Sequence, residues 1–221
     1  MEVTLILING SSFGCGKDTA GNLIAKHIRS IQPGAFVIRQ AFSHKLKKVV
    51  EQLTGERMIM MDIGSYSANW EDFTSEQKAK FLPKWNMTLG KMLQLFATEA
   101  VREHFNIDTW MIALSNTIEE NVSLIEYMGT VERIYFIIPD WRFENEVKLE
   151  DAINLPKHKI KTSLVRVMKT VDSDSNDGRD RKHSSEQMQY PVDWQINNNT
   201  TIDDLDIRCR VYVKRSLGIK G

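Results

Sequence analysis

The ten residues Gly10-Ser11-Ser12-Phe13-Gly14-Cys15-Gly16-Lys17-Asp18-Thr19 carry the strongest chemical signal in the chain. Glycines let a backbone curl until successive N–H groups point inward, a helix N-terminus behind them adds positive potential, and a lysine supplies a mobile full charge. That combination grips phosphate oxygens. Phe13, Gly14, Cys15, Gly16, Lys17, Asp18 and Thr19 are therefore expected to bind the phosphates of a nucleotide such as ATP; the alternative is a plain glycine-rich strand-to-helix turn. The stretch departs from the usual pattern twice: Ser11 stands at the first-glycine position, with Gly10 one residue early, and Asp18 follows the lysine where Ser or Thr is usual. A carboxylate beside polyphosphate is repelled unless a cation compensates. Asp18 is thus expected to act on Mg²⁺, directly or through water, or else to be a first-turn acid favoured by the helix dipole. Thr19 is placed to contact a phosphate or the Mg²⁺ shell. Cys15 is read as a backbone donor position, not a nucleophile.

A phosphate loop alone does not separate a kinase from a GTPase, an ATPase or a passive binder; a second anion site for an acceptor would. Asp140-Trp141-Arg142-Phe143-Glu144-Asn145-Glu146 follows the apolar run that ends at Pro139. Ligands of an open parallel sheet collect beyond the carboxyl ends of its strands, which puts Asp140 and Arg142 near the loop's ligand; the alternative is a surface ion pair. Asn145 and Glu146 fall on the first turn of the next helix, facing the site or solvent. Arg102, one turn beyond Thr98, can clamp a phosphate in a bidentate pair or be an exposed helix arginine. Lys45 opens the helix after the second strand, again at the carboxyl edge, or is simply solvated. Trp110 is a stacking platform or helix core. Arg179 and Arg181 are flap arginines that close over transferring phosphates, or ordinary members of a charged loop.

These residues need elements to hold them. Val3 to Ile8 is an almost wholly apolar run, as suits a strand buried on both faces. Leu23, Ile24, His27, Ile28 and Ile31 then recur at helical spacing until Pro33-Gly34. Ala35–Ala41 reads as a second strand, and Ser43 as the cap of a helix through Leu53. Residues 91–105, 108–119 and 143–153 read as helices, with Asp108 as an N-cap, and a final helix carries Leu205, Cys209 and Tyr212. Residues 133–139, 163–168 and 194–196 read as strands. The alternation predicts an α/β fold: a P-loop NTPase-type parallel sheet flanked by helices. Residues 55–90 break the pattern and are expected to be a partly helical insertion. Residues 172–182, with four acids, three bases and no large apolar side chain, read as a solvent-exposed loop.

With 221 residues, of which 42% are hydrophobic, the chain is long enough for one domain with insertions over 1–221. The 29 Lys and Arg balance 29 Asp and Glu, which excludes a chain-wide basic field and gives no support to nucleic-acid binding. Any anion site must be local. Two cysteines give no disulfide framework, and no run is apolar enough for a membrane span or a secretory signal, so a reducing cytoplasm is expected. A homodimer is among the expected assemblies.

Together the residues resemble the deoxynucleoside monophosphate kinases of bacteriophage type. The resemblance rests on Gly16-Lys17-Asp18-Thr19, on Thr98-Glu99…Arg102…Asp108…Trp110, on Asp140-x-Arg142-Phe143-x-Asn145-Glu146, on Ser185-Glu186, and on Ile196-Asn197-Asn198 before the last helix. The anchors run in the family's order over most of the chain. The resemblance implies transfer of the ATP γ-phosphoryl group to a deoxynucleoside monophosphate with Mg²⁺, a monophosphate-binding insertion at about 55–90 and a lid at about 172–186. It implies monophosphate contacts by Lys45, Arg102, Trp110, Asp140, Arg142, Asn145, Glu146 and Glu186, and it does not extend to base selection. A kinase for another phosphorylated metabolite and a non-catalytic nucleotide-binding module stay open.

Overall fold

The computed structural model describes residues 1–11, 14–61, 70–129, 131–170 and 190–218. Among them, β1 (Glu2–Gly10), β2 (Phe36–Arg39), β7 (Arg133–Ile138), β8 (Lys159–Met168) and β9 (Trp194–Asn197) form one parallel sheet in the order β2-β7-β1-β8-β9. Helices flank it: α1 (Lys17–Ile31), α2 (His44–Thr54), α4 (Leu89–Leu95), α5 (Thr109–Met128), the short α6 (Leu149–Ala152) and α7 (Ile202–Ser216). The expected α/β architecture of a parallel sheet with flanking helices is present.

The alternation of side chains along a strand sorts the core into two layers. In β1, Val3, Leu5 and Leu7 face a cluster with Leu46 and Val50 of α2 and Leu114, Ile118 and Val122 of α5. Ile6 and Ile8 face the other way, onto Ile24 and Ile28 of α1 and Leu205, Cys209 and Tyr212 of α7. All five β1 residues are fully buried. At about 1.5–3 kcal/mol for each large apolar side chain, burial of this central strand and of its neighbour β7, whose Ile134–Ile138 are buried as well, stabilises the sheet strongly. Among the described residues, no helix is long and apolar enough to cross a membrane.

Several elements differ from the sequence expectation. The described part of 55–90 is helical in part, as expected, at the five-residue helix α3 (Ser75–Ala79), a 3₁₀ turn Pro83–Trp85 and the start of α4, but it also holds two small antiparallel ladders that were not expected, β3 (Ile59–Met61) with β4 (Trp70–Asp72) and β5 (Phe81–Leu82) with β6 (Met87–Thr88). The 91–105 helix is α4 followed by a π-helical segment, Phe96–Arg102, closed by an i→i+5 bond from Glu103 N to the Thr98 carbonyl. The 143–153 helix is a 3₁₀ turn, Glu144–Lys148, before α6. β8 starts at Lys159, earlier than Ser163, because pairing with β1 carries the polar stretch Lys159–Thr162 into the sheet. Ser43 and Asp108 stand at the N-cap positions of α2 and α5, but their side chains make no cap bond. Each has a stronger partner elsewhere: Asp140 for Ser43 and Asn145 for Asp108.

Candidate functional site

The carboxyl ends of β1, β2 and β7 open on a cavity of about 440 Å³. β1 is the centre of the sheet, and the chain leaves it extended as far as Ser11, whose N–H donates to the Val167 carbonyl at 2.9 Å. The Ser11 hydroxyl also accepts from Lys169 N–H at 3.0 Å. A serine therefore serves at a position where the strand continues and no unusual φ is needed. The curl comes later, at Gly14 with φ +71° and Gly16 with φ +90°, the left-handed region that L side chains resist. Gly16 is the N-cap residue of the fifteen-residue α1, so the loop's N–H groups and the helix N-terminus meet at one place.

Gly14, Cys15, Gly16, Lys17, Asp18 and Thr19 all line the cavity. Cys15 is 1% exposed and faces the core behind the loop. Lys17 Nζ lies 3.0 Å from Asp18 Oδ2, and the other Asp18 oxygen contacts the Arg39 guanidinium. The crowding of the carboxylate opposes ionisation, but the charges of Lys17 and Arg39 outweigh it and hold Asp18 below the usual aspartate range. Both oxygens of Asp18 are thus engaged by protein cations, while Thr19 is exposed at the cavity edge. Among the described residues no group of three or more His, Cys, Asp and Glu side chains is placed to hold a metal ion. The donor set fits a hard cation only as one oxygen ligand, Thr19, beside groups a ligand would bring.

Asp140, Arg142, Glu146 and Trp110 line the same cavity as the loop. Asp140 follows β7 and accepts from Phe42 N–H, Ser43 N–H and Ser43 Oγ at 2.9, 2.9 and 2.6 Å. It ties the β2–α2 turn to the end of β7 and so fixes two sides of the cavity. Glu146 is 3% exposed and its Oε2 accepts from the N–H groups of Arg142 and Phe143. Burial pushes this carboxyl up to about 7, against the two N–H groups and Arg102, and with help from Asp140. Trp110 is 8% exposed and packs in the core while one side meets the cavity; its Nε1 donates to the Ala97 carbonyl at 2.9 Å.

Three expected residues do not reach the cavity. Arg102 is buried behind it, stacked 3.7 Å from the Phe143 ring centroid and bonded to Asn145 Oδ1 at 3.0 Å. Asn145 in turn donates to Asp108 Oδ1 at 2.7 Å, so this group braces the Arg142 turn from outside. Lys45 is exposed on the far side of α2. Phe13, Arg179, Arg181 and Glu186, and the whole 172–186 segment, lie outside the described residues.

The cavity also holds residues that the sequence reading missed. Lys47 lines it in place of Lys45, because helical spacing puts residues 46, 47 and 50 on the face turned to the sheet; that spacing was readable. Lys47 Nζ lies 2.9 Å from Asp72 Oδ2, and Lys78 Nζ lies 3.3 Å from Asp72 Oδ1. Burial would raise the Asp72 pKa, but the two lysines lower it. Arg39 ends β2 and is held by Asn22 Oδ1 at 2.6 Å. Its position at a strand's carboxyl end was a usable signal, whereas nothing local marks Asp72 or Lys78.

Counted by side chain, the cavity wall carries five cations, Lys17, Arg39, Lys47, Lys78 and Arg142, against four acids. All four acids are already engaged by protein donors, and burial weakens the charge on one of them, Glu146. A chain of zero net charge thus contains a locally positive cleft with aromatic walls at Phe73, Trp110 and Phe143, suited to a ligand with phosphate at one end and a flat apolar body. No protein-family model matches the chain, and a search of the curated proteins finds no match.

Proposed function

We propose that the chain is a phosphotransferase that moves the γ-phosphoryl group of ATP to a deoxynucleoside monophosphate. The observation that supports this most is continuity: the loop Gly14–Thr19 and the turn bearing Arg142 line one cavity, so a donor and an acceptor would share a space rather than occupy two sites. The resemblance described above supplies the class of acceptor.

In this reading the loop N–H groups and Lys17 hold the ATP phosphates, and Arg142, with Lys47 and Lys78 along the wall, attracts the acceptor phosphate. That phosphate is anionic at neutral pH, so no general base is needed. One of its oxygens bonds to the γ-phosphorus as the bond from that phosphorus to the β,γ-bridging oxygen breaks, and ADP leaves with that oxygen. Positioning and charge neutralisation provide most of the acceleration. Mg²⁺, when bound, spreads the negative charge of the phosphate oxygens; Thr19, and Asp18 through water, are the loop groups that would face it. Two buried free thiols, Cys15 and Cys209, fit a reducing cytoplasm.

Coupled ADP release with ATP, Mg²⁺ and each of the four deoxynucleoside monophosphates tests the proposal. Turnover with at least one, lost in Lys17→Ala with the fold retained, is expected. ATP binding without transfer to any of them would leave a nucleotide-binding module; transfer only to other phosphorylated metabolites would move the acceptor class.

A further inference from the structure

Asn198 does not line the cavity, yet it touches the phosphate loop at its tightest point. Its Nδ2 donates to the Cys15 carbonyl at 2.8 Å. The carbonyl and the following N–H of a trans peptide point in opposite directions. A Cys15 carbonyl drawn to Asn198 therefore turns the Gly16 N–H away from it, and it is Cys15 and Gly16, not Asn198, that line the cavity. The fit at Gly16 is close: a Cβ there would collide with Asn198 Nδ2, so the glycine is required by its φ of +90° and by this neighbour together.

The backbone that carries this amide is tied down. Asn198 follows β9, and its own N–H donates to the Met168 carbonyl at 2.7 Å. The turn is tied again by Asn199 N–H to Asn197 Oδ1 at 2.9 Å and by Arg208 Nη1 to the Asn197 carbonyl at 2.7 Å. A side chain from the edge strand thus reaches past β8 to the loop that leaves β1.

We infer that Asn198 is a positioning residue of the phosphate loop, fixing the Cys15–Gly16 peptide so that its N–H side is presented to bound polyphosphate. The inference rests on the nucleotide-binding reading of that loop. Asn198 acts through the backbone and touches no ligand itself. An asparagine is needed because the group facing a carbonyl must donate; aspartate at this site would set two oxygens against each other and add a negative charge behind the loop.

Calorimetric titration with Mg-ATP, melting curves and the two KM values test it. In Asn198→Ala, ATP affinity falls about tenfold, the worth of one hydrogen bond that orients a donor, and the KM for ATP rises with it. The acceptor KM stays within about twofold, and the melting temperature moves by no more than a few degrees. Asn198→Asp, which keeps the shape, binds ATP more weakly than the alanine variant. Joining Asn198→Ala to Gly16→Ala costs less than the sum of the two, because the first removes the obstacle met by the second. ATP binding by Asn198→Ala or Asn198→Asp within about twofold of the unaltered protein overturns the inference, as does an equal loss for ATP and acceptor that tracks the melting temperature. Unaltered protein that binds no ATP overturns the nucleotide reading itself.

Discussion

Glu146 Oε2 accepts the backbone N–H of Arg142 at 2.7 Å, so the cavity carboxyl group that burial pushes up to about 7 is also the one that shapes the Arg142 turn. Its folded pKa, about 7, lies above the 4.5 of an unperturbed glutamate. Below both values the proton is bound in folded and unfolded chains alike. Between them the folded chain holds a proton that the unfolded chain has lost, so this group makes stability fall as pH rises from about 4.5 to about 7 and then level off, by at most about 3 kcal/mol. Glu146→Gln keeps an acceptor for the two N–H groups and removes the titration. Melting temperatures across this range are expected to flatten in the variant relative to the unaltered protein; parallel profiles would show that Glu146 ionises normally.

Asp18 occupies the cations that a phosphate would seek. Lys17 Nζ is 3.0 Å from it and Arg39 contacts its other oxygen. Asp18→Asn keeps the shape and frees both cations from a competing charge. Binding of metal-free inorganic tripolyphosphate at low salt is expected to tighten about tenfold, and the gain to shrink as salt rises. The same titration with Mg²⁺ reads the other role: if the variant loses the part of the affinity that Mg²⁺ contributes, Asp18 also serves the metal. Because the lysine and arginine lower its pKa, the stability Asp18 adds to the unaltered protein is present above the ordinary value of 3.8 and is lost as pH falls through the lower folded value.

The parts of this fold that were legible in the sequence are those in which one residue type answers one constraint. β1 is almost wholly apolar from Val3 to Ile8 because it is covered on both faces, and Gly14 and Gly16 lie where φ is positive. The cavity position of Arg142 follows from the end of β7, since strand ends and ligand clefts coincide in a parallel sheet. What was not legible depends on tertiary partners. The π-helical turn at Phe96–Arg102 needs one extra residue per turn, which no composition marks, and it carries Arg102 to the back of Phe143 instead of the cavity. Asp72 and Lys78 acquire their place only when the ladders of the 55–90 region close on α2. Asn198 belonged to a readable pattern, yet its contact is with a loop more than 180 residues earlier.

Trp110 separates two roles that a single deletion would confuse. Its indole N–H satisfies the Ala97 carbonyl inside the π-helical turn, and its ring meets the cavity. Trp110→Phe removes the donor and keeps an aromatic face, so stability should fall by about 1–2 kcal/mol while the acceptor KM changes less than about threefold. Trp110→Leu removes the face as well, and the acceptor KM should then rise about tenfold or more. Equal KM values in the two variants would remove the ring from the acceptor site.

Asp72 joins three elements: its Oδ2 takes Lys47 of α2, its Oδ1 faces Lys78 of α3, and the Phe73 N–H donates to it from the end of β4. Lys47 and Asp72 side chains are only 11% and 16% exposed, so removing one charge leaves the other poorly solvated. The asymmetry of the group fixes the order of effects. Asp72→Asn takes the shared counter-charge from two lysines and should cost about 2–3 kcal/mol in urea unfolding, whereas Lys47→Met leaves Asp72 with Lys78 and should cost less. In the double variant the methionine no longer needs the carboxylate, so the losses should fall short of their sum by about 1 kcal/mol. Additive losses would mean that the Lys47–Asp72 contact does not hold the 55–90 region to α2, and the wall of the cavity would then depend on Phe73 and its apolar neighbours alone.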